Sequence, residues 1–481
     1  MMPRMMRRVL PIALAVWSLS SAGAARTGQS ATYDVVLAGG RVLDPESGLD
    51  GIRWIGISGG TIREISGTPL RGADVLDVSG LAVAPGFIDL HQHAQSPEAY
   101  GLLALSGTTT ALELEEGTAD VAAWYSARLE KARVNYGVSV GHAAIRARVI
   151  GNASDGTPRG EAATRNATPS EIAQIKQALE AGLEAGATAV GLLLGYTPGA
   201  TPWEVIEVFK TAAAHGATVH VHMRETEAAQ YFLETLEVIG ASAASGAGAH
   251  IVHIQSSGGE DAARMLELIE GARRRGLDVT TEMYPYTASM TGIESPFYDD
   301  WAAWPDAKFT RFEWPSTGER LTRDTFAKYR RTGGLIVEYN NTEEVIRHAL
   351  AQPLPLIASD GILQNGIGHP RALGTFARVL GKYVRDENVL SLMDAIRKLT
   401  LGPAQRVERR VPAMRRKGRV VTGADADLVV FDPSTIVDRA TYRNPSLPPA
   451  GIRHVLVNGA VVVREGALVD GVFPGSPVRA H

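Results

Sequence analysis

From Gly86 to about Val411, short apolar runs alternate with stretches in which apolar residues recur every three or four positions. "GATAVGLLLGY" precedes "PWEVIEVFKTAAAHG", "ATVHVHMRE" precedes "AAQYFLETLEVIGASA", and "AHIVHIQSSG" precedes "EDAARMLELIEGARRRG". "LDVTTEMYPY" and, after a gap, "LPLIASDG" follow as further apolar runs. An apolar run closed by a turn signal reads as a buried strand, and the longer period as a helix with one buried face. Repeated strand–helix units predict an α/β fold: a parallel sheet closed as a (β/α)8 barrel over residues 86–411. In such barrels chemistry sits at the C-terminal ends of the strands.

The flanks follow another pattern. "YDVVLAGGRVLDPESG", "WIGISGGTIREISG" and "DVLDVSGLAVAPG" are short strands broken by Gly-rich turns, and "GRVVTGADADLVVFDP" and "IRHVLVNGAVVVREG" repeat the style at the far end. They predict a small β-sandwich domain built from both chain ends, residues 30–85 and 412–470. Residues 287–350, with "FYDDWAAWPDAKFTRFEW", exceed a usual strand–helix connection and read as an insertion capping the barrel mouth. At the N-terminus a basic "MMPRMMRR", an apolar "VLPIALAVWSL" and a small-residue "SSAGAA" predict a signal peptide over residues 1–25. The expected location is therefore periplasmic or secreted.

Composition narrows the function classes. The chain has 481 residues, 45% hydrophobic and 21% charged, an ordinary globular balance. Its net charge of −4 gives no basic footprint for nucleic acid. After the leader no apolar run is long enough for a membrane span, so the expected partner is a small-molecule substrate. There is no cysteine, so any metal site must draw on His, Asp, Glu or carbonyl oxygen.

The candidate chemistry lies at strand ends. "PGFIDLHQH" places His91 and His93 two apart, on one side of a strand. "VHVHM" places His220 and His222 likewise, with His222 nearer the C-terminal end and His220 read as a satisfied core histidine. "AHIVHIQ" gives His253 at a strand end and His250 as a structural residue. "LIASDG" ends in Asp360, a metal ligand, a catalytic base or a turn-former before Gly361. Four imidazoles and a carboxylate at successive strand ends suit one or two divalent cations such as zinc, which generate hydroxide from water near neutral pH.

These residues and several longer stretches resemble the amidohydrolase superfamily, and more narrowly its N-acyl-D-amino-acid deacylases (D-aminoacylases). The stretches are "APGFIDLHQH", "GHAAIRARVIG" at 141–151, "HVHMRE" at 220–225, "EMYPYTAS" at 282–289, "HPRALGTFARVLG" at 369–381, "LTLGPAQRVE" at 399–408, and the segment 423–459 beginning "GADADLVVFDPSTIVDRATY". The resemblance implies a zinc-dependent amide hydrolase that splits N-acyl-D-amino acids. It also implies that Arg371 binds the substrate carboxylate, that Tyr284 or Tyr286 serves the tetrahedral intermediate, and that neutral Gln255 stands where the family has a basic substrate-binding residue. Asp360 is then the residue that moves the proton of water to the leaving amine. The competing readings are a cyclic amide or dipeptide hydrolase, resembling dihydroorotase or hydantoinase, and a non-catalytic periplasmic binding protein.

Two departures from the family single out the second strand, "TTALELEEG" at 109–117. The family's bridging cysteine there is absent, and the fourth strand offers no lysine between Lys176 and Lys210. Three carboxylates in a buried strand are costly unless paired. Alternation turns Leu112 and Leu114 toward the helices and Glu113 and Glu115 inward. Glu115 is therefore the expected metal ligand, Glu116 the alternative in an ungapped family register, and Glu113 a partner of His220 or an arginine.

Overall fold

The computed structural model describes residues 32–151, 158–224 and 231–480. The expected signal peptide lies outside them. Eight parallel strands follow one another in chain order: Phe87–Asp89, Thr108–Thr118, Asn135–Gly141, Val190–Leu193, Val219–His222, Ala249–Ile251, Val279–Met283 and Pro355–Ile357. Beyond the ends of the first and eighth, Gln92 pairs with Gly361 in parallel, so the barrel closes.

The helices between them form for legible local reasons. Thr168 caps Pro169–Glu184, with its side chain on the Glu171 amide and the Glu171 carboxylate returning to the Thr168 amide. That reciprocal box satisfies two amide donors that a helix start leaves open, and proline at the first position costs none. The helix then buries Ile172, Ile175, Leu179 and Leu183, a stripe at helical spacing. Thr201 and Thr342 cap later helices with the side-chain bond alone, accepting from the Glu204 and Val345 amides.

The chain ends meet in one nine-stranded sheet, where Leu428–Phe431 pairs antiparallel with Ala82–Pro85. Its inward residues, among them Val35, Leu37, Ile57, Val83, Leu428 and Val430, form a core separate from that of the barrel.

Between the seventh and eighth strands a four-stranded antiparallel sheet rises, built from Ser289–Gly292, Phe312–Trp314, Glu319–Arg320 and Leu335–Glu338. Its aromatic residues are its own core: Tyr298, Trp304, Phe309, Phe312 and Phe326 cluster with Ile293 and Ile336. The expected insertion edge at 350 is displaced. Helix Glu343–Ala351 buries Ile346, Ala349 and Leu350 in the main core, so it belongs to the barrel's helical layer. An amphipathic helix reads alike in either setting, which is why its assignment needed the packing.

Candidate active site

The second strand supplies the centre. Its hydrogen-bonding register with the third strand slips between Glu113 and Thr118. Glycines on the next two strands make the slip possible. A Cβ on Gly191 would stand 2.2 Å from the Glu115 carbonyl oxygen, and one on Gly141 would stand 2.3 Å from that of Glu116. Both distances are impossible for a side-chain carbon, so the bulging strand end requires glycine at both positions. Leu112 and Leu114 share a core with Ala404 and Val407 of helix Leu401–Val407.

Glu115 turns into the barrel, and each of its oxygens faces a pair of histidines. Oε2 lies 3.0 Å from His91 Nε2 and 3.5 Å from His93 Nε2, while Oε1 lies 2.8 Å from His222 Nδ1 and 3.2 Å from His253 Nε2. Within each pair the ring nitrogens are 3.1 Å and 3.0 Å apart. Asp360 Oδ1 stands 3.5 Å from His91 Nε2 and 3.4 Å from His93 Nε2.

A second layer orients the first pair. His91 Nδ1 meets Glu282 Oε1 at 2.7 Å, and His93 Nδ1 meets Glu113 Oε2 at 2.5 Å. A carboxylate only accepts, so in the neutral rings each Nδ1 carries the hydrogen and each Nε2 presents a lone pair. Two lone pairs then face each other and two carboxylates across about a water's width, an arrangement that needs positive charge between them. The titration directions agree. Burial opposes a charged His91, yet Glu115 and Asp360 outweigh it and hold its pKa well above the ordinary imidazole range. His93 is raised likewise, against burial, by Glu113 and Asp360. Burial also opposes ionisation of Glu115, but His91, His222 and His253 hold it well below the usual range. The donor set His91–His93–Glu115 and the set Glu115–His222–His253 each converge closely enough to hold a cation. Nitrogen and carboxylate donors of this kind fit zinc, with Glu115 shared between the two sets.

Several expected roles change. Glu113 pairs with His93 and accepts the Glu116 amide at 3.0 Å, not His220. His220 is buried one layer deeper, its ring 4.7 Å from that of His250, and its Nε2 has no hydrogen-bond partner among the described residues. It is thus not the satisfied histidine expected, and burial keeps it neutral by holding its pKa well below the usual value. Arg371 does not line the cavity. It is 1% exposed and grips Asp360, with Nη2 on Oδ2 at 2.9 Å and Nε on the backbone oxygen at 2.6 Å. Tyr286 leaves the barrel after Pro285 and donates to Asp438 at 3.2 Å, away from the cavity. Gln255 is fully buried in helix Ile254–Gly258 and is also off the cavity wall. His253 adopts φ +33° at that helix start, which turns the chain before Gln255 can follow the strand direction.

Tyr284 does line the cavity, with its ring 6.4 Å from that of His253 and beneath the Arg371 guanidinium at 4.3 Å. Sequence reasoning gave no role to Glu282, although it sits in the quoted "EMYPYTAS". Its Oε2 meets His250 Nε2 at 3.0 Å, so it clamps two histidines at once. Burial disfavours its charge, yet His250 and His91 hold its pKa down at about 2. The available signal was a charged residue at an inward position of an apolar strand.

Above this floor lies a cavity of about 760 Å³. His93, Glu115, His222, His253 and Asp360 form its base, and Phe297, Tyr298 and Trp304 of the insertion contribute to its wall. Phe297 packs 4.6 Å from Tyr196 and 5.4 Å from His222, ring centre to ring centre.

Residues 74–463 match the model of the amidohydrolase family. An N-acyl-D-glutamate deacylase of Alcaligenes xylosoxydans xylosoxydans is 32% identical over 89% of this chain and 93% of its own length. A D-aminoacylase of the same organism is 30% identical over 91% of this chain and 96% of its own length. Among solved structures, the N-acyl-D-glutamate deacylase of Bordetella bronchiseptica, complexed with zinc and a phosphonate inhibitor, superposes with a TM-score of 0.81 at 26% identity. The match covers 94% of this chain and 100% of that one.

Proposed function

This chain belongs to the amidohydrolase family, and from that premise we propose how it acts: as a zinc-dependent hydrolase that splits N-acyl-D-amino acids into a carboxylate and a free amino acid. The observation that carries the reading is Glu115, whose two carboxylate oxygens each face a histidine pair. Similar relatives are N-acyl-D-amino-acid deacylases, and the similar Bordetella enzyme was crystallised with zinc and a mimic of a tetrahedral intermediate.

His91, His93, Glu115, His222 and His253 would hold one or two zinc ions. Zinc bound there supplies a Lewis acid that polarises an amide carbonyl and acidifies water. The protein supplies the rest. Glu282 and Glu113 keep His91 and His93 in the tautomer whose Nε2 faces inward. Arg371 fixes one oxygen of Asp360, so Oδ1 alone faces the reacting atoms, where it takes the proton of the attacking water and passes it to the leaving nitrogen. Burial raises the cost of a charged Asp360, but Arg371 and His91 hold its pKa below the usual range, so it is ionised when the proton arrives. Tyr284, beside His253 on the cavity wall, is the candidate donor to the developing oxyanion. With Arg371 buried off the wall, the cations that line the wall among the described residues are Arg159, Lys308 and Arg311. Arg159 stands 3.6 Å from Glu294 and Arg311 stands 3.7 Å from Glu338; a substrate carboxylate would meet the three cations there.

The test is amine release by zinc-loaded protein from matched N-acetyl-D- and N-acetyl-L-amino acids, hydantoin and dihydroorotate. Turnover of the linear D-compounds is expected. Turnover of the cyclic amides alone would move the reading to the hydantoinase-like alternative.

We further propose that the protein is exported, on the strength of the basic, apolar and small-residue succession at residues 1–25. Among the described residues no helix is long and apolar enough to cross a membrane. N-terminal sequencing of periplasmic or secreted material is expected to start close to Ala25 or Arg26. An intact Met1 on the active protein would refute export by cleavage.

A further inference from the structure

A second cavity, of about 880 Å³, opens at the other end of the barrel. Asp278 and Thr280, at the start of the seventh strand, and Leu354, just before the eighth, line it, whereas Tyr284 and Asp360 follow the opposite ends of those strands. Four cations line this second cavity, Arg273, Arg397, Lys398 and Arg406, against two carboxylates, Asp278 and Asp394. Both carboxylates are occupied. Asp278 Oδ1 meets Arg406 Nη1 at 2.5 Å, and Asp394 accepts the hydroxyl of the helix-capping Ser391 at 2.7 Å. Among the described residues no carboxylate contacts Arg273, Arg397 or Lys398, and Nε and Nη2 of Arg406 have no acceptor.

Lys398 is the most telling of the four. It is 6% exposed, and its ammonium donates to the carbonyls of Leu350, at 2.9 Å, and Gln352 at the end of a helix. Helix capping explains those two bonds, but an ammonium has three donors. Burial lowers its pKa to about 8, an effect Asp394 offsets only in part. A buried cation without an anion is costly, and one supplied from outside removes the cost. The apolar part of the remaining wall is formed by Leu350, Leu354, Leu356, Val389 and Leu390, beside the polar Thr280, Gln352, Asn388, Ser391 and Gln405. Volume, charge excess and apolar wall together match a ligand with an anionic head and a hydrocarbon body.

We propose that this cavity binds a small organic monocarboxylate, its head between Lys398 and Arg397 and its body against the leucines. Calorimetric titration of the purified protein with octanoate at neutral pH tests it, with inorganic phosphate as the purely ionic arm. Saturable octanoate binding is expected, with Kd rising about tenfold or more in Lys398→Met, since a charge-assisted hydrogen bond is lost. Arg397 is exposed, so Arg397→Ser keeps the fold even if Lys398→Met does not, and a several-fold rise in Kd is expected there. Asp360→Asn, in the other cavity, is expected to bind octanoate as the parent does. No saturable heat from the parent protein overturns the proposal. So does an unchanged Kd in Arg397→Ser. Loss of binding in Asp360→Asn with retention in Lys398→Met would place the acid in the catalytic cavity and overturn it too. Phosphate binding as tight as octanoate would show that the apolar wall takes no part and would likewise reject it.

Discussion

Asp360→Asn is expected to lower kcat by roughly 10²–10⁴-fold, the usual worth of a positioned acid–base group, while metal content stays near that of the parent. The substitution keeps the shape of the side chain and removes its charge and its basicity. Its position argues for the chemical role: one oxygen is held by Arg371 at 2.9 Å, and the other stands 3.4–3.5 Å from two histidine nitrogens. The five other candidate ligands remain, so metal binding does not depend on it. A second effect follows from Arg371. Its guanidinium is buried and loses a charged acceptor, so stability is expected to fall by about 1–3 kcal/mol. Thermal unfolding measured beside kcat separates the two consequences, because the folded fraction at assay temperature is read directly. Near-normal turnover in metal-loaded Asp360→Asn would exclude it as the proton carrier.

Glu115→Gln is expected to have the larger effect on the metal. The variant keeps both oxygen-sized positions but removes the one carboxylate that, among the described residues, faces all four histidines. A neutral amide is a poor zinc ligand and offsets none of the cation's charge. Bound zinc per chain and the hydrolysis rate should therefore fall together. Glu282→Gln is the graded control. It leaves every ligand in place but disturbs the orientation of His91, which for an outer-layer partner typically costs 10–100-fold in metal affinity. Glu116→Gln should be nearly silent, since that side chain is 31% exposed and comes no closer than 3.7 Å to His93. Zinc titration of the three variants with a competing chelator ranks them. If Glu116→Gln loses zinc while Glu115→Gln retains it, the ungapped register with the family's cysteine is the right one, and alternation along the strand is not.

The amino-acid sequence alone determined the architecture and the positions of the candidate ligands. A periodic apolar pattern reports which face of a strand or helix is buried, and that follows from backbone geometry without knowledge of neighbours. His91, His93, Glu115, His222, His253 and Asp360 could be found because each sits at or just past the end of an apolar run, where the barrel opens. The tertiary structure alone decided what those residues touch. Arg371, assigned to substrate, instead holds Asp360, because its helix starts directly beside the eighth strand's end and its side chain is fully buried there. Tyr286 and Gln255 lie two residues past Tyr284 and His253, which do face the cavity, but the chain bends at Pro285 in the first case and at the left-handed His253 itself in the second. Period-two alternation ends where the strand ends, so it cannot carry an orientation past such a turn. Glu282 was hidden for the complementary reason. A single inward carboxylate in an apolar strand shows that a partner exists, but His91 and His250 are 191 and 32 residues away in the chain. Only the closure of the barrel brings the three together.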